Sequence, residues 1–180
     1  MRNASGVDPQ PGDILLFYNS YGLGRFITTF TRSPFYHVAL FAGGTELIEA
    51  GPKGVVRRDL RSREGGHQFV VVRAPEGKGP AALQWAHSKL GDGYDAKDLV
   101  IIALDRIFMH LHLNYAPGDR FTCGEFVASA FEQAGIRLFG DTKAADIVPA
   151  DFAKLLAPHE RRWVEQQKRA RSRDGVIPRP

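Results

Sequence analysis

Three side chains could together carry covalent chemistry: Cys123, His37 and Glu49. Cys123 is the only cysteine, in Phe121-Thr122-Cys123-Gly124-Glu125-Phe126-Val127-Ala128-Ser129-Ala130-Phe131, where extended chain turns into a helix. Phe126, Ala130 and Ala134 fall on one helical stripe with Val127 and Phe131 beside it, so a helix starting near Cys123 can bury that face. A thiol at a helix N-terminus meets the positive end of the macrodipole, which favours the thiolate. Free N–H groups there can also hold a developing oxyanion. One cysteine forms no internal disulfide and is too few for a thiolate metal site. The competing reading is an inert core cysteine.

A thiolate nucleophile needs a base, and the base needs a group to orient it. Of six histidines, His37 is the best placed, at the start of the strand pattern Tyr36-His37-Val38-Ala39-Leu40-Phe41. His67 lies in a Gly-Gly-His-Gln loop, His159 in the tail, and His87 inside a helix, where it reads as a packing residue. His110 and His112 are two apart and cannot share a helical face as metal ligands would. Glu49, in Leu47-Ile48-Glu49-Ala50, lies on the returning strand of a hairpin. A two-residue Gly43-Gly44 loop sets Glu49 opposite Val38, on the wrong face. A three-residue loop over 42–44 pairs Phe41 with Thr45 and therefore His37 with Glu49. The sequence predicts the three-residue loop, a common form with glycine at the left-handed position.

The elements that must position these residues can be read in order. Pro11-Gly12-Asp13 is a turn, and Ile14-Leu15-Leu16-Phe17-Tyr18 a buried strand. Residues 22–30 form a short helix that Ser33-Pro34 breaks. Strands follow over 36–41, 45–50, 55–57 and 69–72, separated by turns at Gly43-Gly44 and Gly51-Pro52-Lys53-Gly54. The second half is helical: 81–90, the strongly apolar 98–110, the Cys123 helix ending at Gly135, and 152–156. Pro117-Gly118 turns the chain into the Cys123 helix, and a last helix can continue over 163–173. Strands first and helices second predict an α+β domain with an antiparallel sheet.

Length suits one domain, with residues 1–10 as a flexible lead, 11–158 as the folded unit and 159–180 as a tail. Of 24 basic and 20 acidic residues, seven and three lie in the tail, which leaves 17 of each in residues 1–158. The net charge of +4 therefore belongs to the tail. Residues 1–10 hold no apolar signal segment, and the longest apolar run, 99–104, is too short to span a bilayer, so the chain is expected to be made in a cytoplasm. No nucleotide, zinc or redox-cofactor motif is visible, and no cofactor is expected. Nucleic acid is not an expected partner, because the tail has almost no interleaved aromatics apart from Trp163.

The order Gly-Asp-strand, Tyr-His-Val-Ala-Leu-Phe, Leu-Ile-Glu-Ala and Phe-Thr-Cys-Gly-Glu-Phe-Val resembles the YiiX-type branch of the NlpC/P60 superfamily, with its circularly permuted papain-like fold. The resemblance spans roughly residues 11–156. Lys89-Leu90-Gly91-Asp92-Gly93-Tyr94-Asp95 is similar to the family's Gly-x-x-Tyr-Asp segment, and Asp146-Ile147-Val148-Pro149-Ala150-Asp151 to its closing Pro-x-Asp helix start. It implies Cys123 as nucleophile, His37 as base and Glu49 as orienting carboxylate, the histidine strand preceding the cysteine helix. Two positions depart from the pattern: Tyr36 stands where a small residue is usual, and Gly124 where serine is usual. Gly124 should be tolerated, and Tyr36 can narrow the entrance or offer a hydroxyl to substrate. Tyr94 and Asp95 are further candidates for the cleft wall, with a turn anchor and a helix cap as their plainer readings. Glu125 reads as a first-turn carboxylate answering the helix dipole rather than an acid catalyst.

The resemblance implies a cysteine peptidase or amidase that cleaves an amide bond in cell-wall peptides. A phage-encoded or non-classically exported enzyme would reach such a substrate without a signal segment. The same machinery acting on lipid esters or thioesters, as hydrolase or acyltransferase, is the second expectation. Apolar residues 99–113 and the basic tail would then touch a membrane surface. A non-catalytic binding module is the third.

Overall fold

Five apolar residues in a row leave neither face of a strand suited to water, and Ile14–Tyr18 (β2) is buried along its whole length. It lies near the centre of a six-stranded sheet in a computed structural model that describes residues 2–3, 6–18, 33–51, 54–62, 68–91, 121–158 and 161–162. The remaining strands are β1 (Arg2–Asn3), β3 (Phe35–Gly43), β4 (Glu46–Gly51), β5 (Gly54–Asp59) and β6 (Gln68–Val72), in the spatial order β1-β6-β2-β3-β4-β5. Strands β6 to β5 are antiparallel to their neighbours; β1 pairs in parallel with β6, so the leading segment is tied to the sheet at two of its residues. The fold is α+β. The predicted helices over 22–30, 98–110 and 163–173, the turn at Pro117-Gly118, and Tyr94 and Asp95 lie outside the described residues.

Period-two alternation sorts the side chains onto two faces. Ile14, Leu16, Tyr18, Val38, Leu40, Ile48 and Val70 form one core with helices α1 (Gly79–Ser88) and α2 (Cys123–Gln133). Leu15, Phe17, Ala39, Phe41, Leu47, Phe69 and Val71 form a second cluster on the other face. Helix α2 contributes Phe126, Val127, Ala130 and Phe131 to the first core, all fully buried. Each of the Phe and Val side chains is worth about 1.5–3 kcal/mol of transfer free energy, and the alanine less. Trp85 of α1 packs between Phe121 and Phe126, with ring centroids 5.6 and 5.8 Å away, and so holds the approach to Cys123 against the neighbouring helix. Gly135, with φ +82°, then takes the left-handed position that closes α2.

The hairpin differs from expectation. The three-residue loop over 42–44 does not form: the turn sits at Gly44-Thr45, Gly43 pairs with Glu46, and a bulge at Ala42 carries the strands into a register of Phe41 with Leu47 and Leu40 with Ile48. Glu49 is thus not directly opposite His37. The physical reason is that two glycines allow the tight turn to slide, and the bulge absorbs the extra residue. Because the slide amounts to two positions, Glu49 keeps the face it shares with His37.

Pairing between β3 and β4 then stops at Leu40 and Ile48. Beyond it β3 continues along β2 back to Phe35, while β4 continues along β5 to Gly51. The sheet opens between these strands, and α2 packs against both. A second irregularity opposes Phe17 to His37 and Tyr18 to Phe35, which makes Tyr36 the extra residue immediately before the histidine. Bulges re-aim side chains at this kind of position.

The turn that launches β2 is fastened by Asp13, whose buried carboxylate accepts from the N–H groups of Gln10 (2.8 Å) and Ala74 (2.9 Å) and from Arg73 (2.5 Å). Gly12, at φ +92°, lies so close to the backbone of Gly79 that any Cβ would collide with it. Gly12→Ala is therefore expected to cost about 2 kcal/mol or more and to lower the melting temperature by several degrees. Gly44→Ala has a similar φ, +58°, with open space around it; it should cost only the left-handed strain of about 1–2 kcal/mol. Thermal unfolding of the two variants checks the difference, and equal losses would show that the contact at Gly79 is irrelevant.

Candidate active site

Helix α2 begins with a capping box. The Thr122 hydroxyl accepts the Glu125 N–H at 3.2 Å, and the Glu125 carboxylate accepts the Thr122 N–H at 3.3 Å. This satisfies two donors at the helix start and leaves Cys123 as the first helical residue. Glu125 is thus a capping carboxylate. Gly124, the next residue, sits against the carbonyl of Ile147, and a Cβ there would collide with that oxygen and crowd Val148 at 3.3 Å. The glycine is required rather than merely tolerated. It lets the segment entering α3 (Pro149–Phe152) pass directly beside Cys123.

The structure brings Cys123, His37 and Glu49 together. His37 Nε2 lies 2.8 Å from Glu49 Oε2, which leaves Nδ1 for the sulfur. The sulfur lies within interaction range of the imidazole and of the N–H groups of Val38 and Gly124. Val38 is one of the residues where β3 has lost its β4 partner. The opening of the sheet therefore accounts for both the room that Cys123 occupies and the donor it uses. The Cys123 N–H, at the positive end of the helix, is bonded to no described residue.

Both partners are largely withdrawn from water, with 15% of the His37 side chain and 5% of the Glu49 side chain exposed. Burial, the largest single influence on His37, disfavours imidazolium. The Cys123 charge and hydrogen bond, followed by those of Glu49, together outweigh it and push the pKa up to about 9. Burial also opposes the thiolate most strongly, yet the His37 charge and hydrogen bond and the two backbone N–H groups hold Cys123 below its ordinary value. The two shifts favour one charge state, thiolate beside imidazolium. Phe17 and Tyr36 flank the imidazole at 5.8 and 6.3 Å, Tyr36 stacked at 30°. Tyr36 thus stands beside the imidazole, while Tyr94 and Asp95 lie outside the described residues.

Arg58 of β5 was not foreseen: its Nε donates to Glu49 Oε1 at 2.7 Å, so each carboxylate oxygen has its own partner. The sequence carried a signal for it. Gly51 pairs with Gly54, which sets Arg58 opposite Leu47, on the face of Glu49. The strand expected over 55–57 ends one residue short of Arg58. His87, taken as a packing residue, lies 3.1 Å from Arg57 on the helix side of the sheet. Among the described residues no group of three or more histidine, cysteine or acidic side chains could hold a metal ion, and no helix is long and apolar enough to cross a membrane. A cleft of about 530 Å³, lined by Phe41, Leu60, Arg61 and Phe69, opens at the far, hairpin end of β3 and contains none of the three candidates.

No family model matches the sequence, and no curated protein matches it. What the site can do follows from its geometry. A half-buried thiol beside an imidazole that an oriented carboxylate holds can act as a nucleophile towards a carbonyl.

Alkylation of Cys123 by iodoacetamide should accordingly run at an appreciable rate well below the ordinary thiol pKa of about 8.5. In His37→Ala, burial is no longer offset by the imidazolium, and the half-point should move to or above that value. Identical pH profiles for the two proteins would break the pair.

Proposed function

We propose that the protein is a cysteine hydrolase of permuted papain-like fold that cleaves an amide bond, with cell-wall peptides as the substrate class. The single observation that carries this reading is the largely buried relay in which Glu49 holds His37 and His37 pairs with Cys123. Two further features support it. The histidine strand precedes the cysteine helix, as the resemblance to the YiiX-type branch implies, and the Cys123 N–H, bonded to no described residue, stands at a helix start.

The Cys123 thiolate attacks the amide carbon, forming a C–S bond and an oxyanion at the Cys123 N–H. Collapse breaks the C–N bond, and His37 gives its proton to the departing amine. Water then attacks the thioester while the now neutral His37 takes its proton. The second tetrahedral species expels the Cys123 thiolate and releases the acid, leaving His37 protonated for the next cycle. Glu49 stays ionised throughout and keeps Nδ1 directed at the sulfur.

The sign of the pH dependence follows. Activity rises as Cys123 ionises, below the ordinary thiol range, and falls as His37 loses its proton near pH 9. Incubating the full chain with peptidoglycan fragments and, separately, with acyl-ester and acyl-thioester lipids tests the reading. New amine ends from the peptides, a bell-shaped profile with its alkaline limb near 9, and loss of turnover by at least about 10³-fold in Cys123→Ala are the expected results. Turnover of the lipids alone would assign the same machinery to ester chemistry. Activity that survives Cys123→Ala would end the hydrolase reading.

A further inference from the structure

Glu49 is held from two sides. Its Oε2 meets His37 and its Oε1 receives the Arg58 Nε at 2.7 Å, while the carboxylate itself is almost fully buried. Arg58 reaches it from the neighbouring strand, with 41% of its own side chain exposed. Two strands of rigid sheet therefore fix the rotation of one carboxylate. We infer that Arg58 is a positioning residue of the catalytic relay, holding Glu49 in the one orientation that directs His37 at Cys123. The inference rests on the proposed role of Cys123, His37 and Glu49.

The neighbouring charges do not share this task. Arg57, one residue earlier, turns to the helix side of the sheet, where it bonds Glu46 at 3.0 Å and approaches His87. Asp59 is taken by the Thr45 hydroxyl (3.2 Å) and the Arg61 N–H (2.6 Å). On β3, the titratable groups on the relay side are His37 itself and its neighbour Tyr36, and α2 presents Cys123. A guanidinium also suits the site by shape. Its planar fork donates in a fixed direction, which a lysine ammonium does not.

Charge alone and positioning predict opposite signs. A cation near His37 disfavours imidazolium, so an Arg58 acting only by its charge would weaken the thiolate, and its removal would strengthen it. An Arg58 that orients Glu49 supports the imidazolium indirectly, and its removal lets the carboxylate turn away.

The test is the iodoacetamide alkylation rate of Cys123 as a function of pH, with melting temperatures measured in parallel. At about pH 6, Arg58→Met should label roughly three- to tenfold more slowly than the parent, in the same direction as Glu49→Gln. Added to Glu49→Gln, Arg58→Met should cause no further loss, an outcome that general damage to the fold would not give. Arg58→Lys, which keeps a cation at a half-exposed position, should fall between the parent and Arg58→Met. Unchanged or faster labelling in Arg58→Met, full additivity with Glu49→Gln, or parental behaviour in Arg58→Lys would each overturn the inference. If Arg58→Met does not fold, the lysine variant and its combination with Glu49→Gln decide. If His37→Ala and Glu49→Gln themselves leave labelling unchanged, the relay fails first. If they slow it while the Arg58 variants do not, only the role of Arg58 fails.

Discussion

The site exists because two neighbouring strands stop pairing. Backbone donors in a sheet interior need partners, and a strand that leaves its neighbour must find new ones or pay for their loss. Beyond Leu40 and Ile48, β3 keeps β2 and β4 keeps β5, so the opening is bounded by two continuing ladders, one of them bulged at Tyr36, rather than by a fraying edge. The start of α2 fills it. Val38 directs its N–H to the Cys123 sulfur, and Glu49 and His37 meet across the gap. The three candidate side chains thus stand where the sheet has lost one of its ladders.

With the pair ionised, as the two shifts favour, the charges in this opening alternate along a chain: thiolate, imidazolium, carboxylate and guanidinium. Taking any one of them out of water alone would cost several kcal/mol. In sequence along the relay, each charge has an opposite neighbour, and the last member, Arg58, carries the chain out to solvent. This arrangement explains how burial can be the largest influence on both Cys123 and His37 and still lose to the sum of the others.

Much of this was legible from residue order. The strands at 14–18 and 69–72 were readable because apolar runs there end in Gly, Pro and Asp turns, and the Cys123 helix because its stripe is unbroken. Glu49 was readable for a weaker reason than its register. A slide of two residues changes its partner but not its face, so a wrong loop over 42–44 still led to the right side of the sheet. The opening between β3 and β4 was not legible, since nothing in Val38-Ala39-Leu40 or Ile48-Glu49-Ala50 marks where pairing ends. The need for glycine at 124 was hidden as well, because the oxygen it accommodates belongs to Ile147, 23 positions away.

The helix dipole turns out to be a lesser part of the account than the position of Cys123 suggests. A helix start offers a charge at its first turn typically 0.3–1 kcal/mol. Glu125 already places a carboxylate in that turn and binds the Thr122 N–H, which spends part of the positive end on the cap. What lowers the thiol is first His37 and then two individual N–H groups, one from the helix and one from the opened strand. The helix therefore acts chiefly as a mount. Its cap sets where it begins, Trp85 and Phe121 hold the approach, and the close pass of Ile147 over Gly124 prevents it from shifting along its axis. A lone cysteine at a helix start would have little reason to be reactive. Here the mount delivers it to an imidazole that the sheet has already fixed in place.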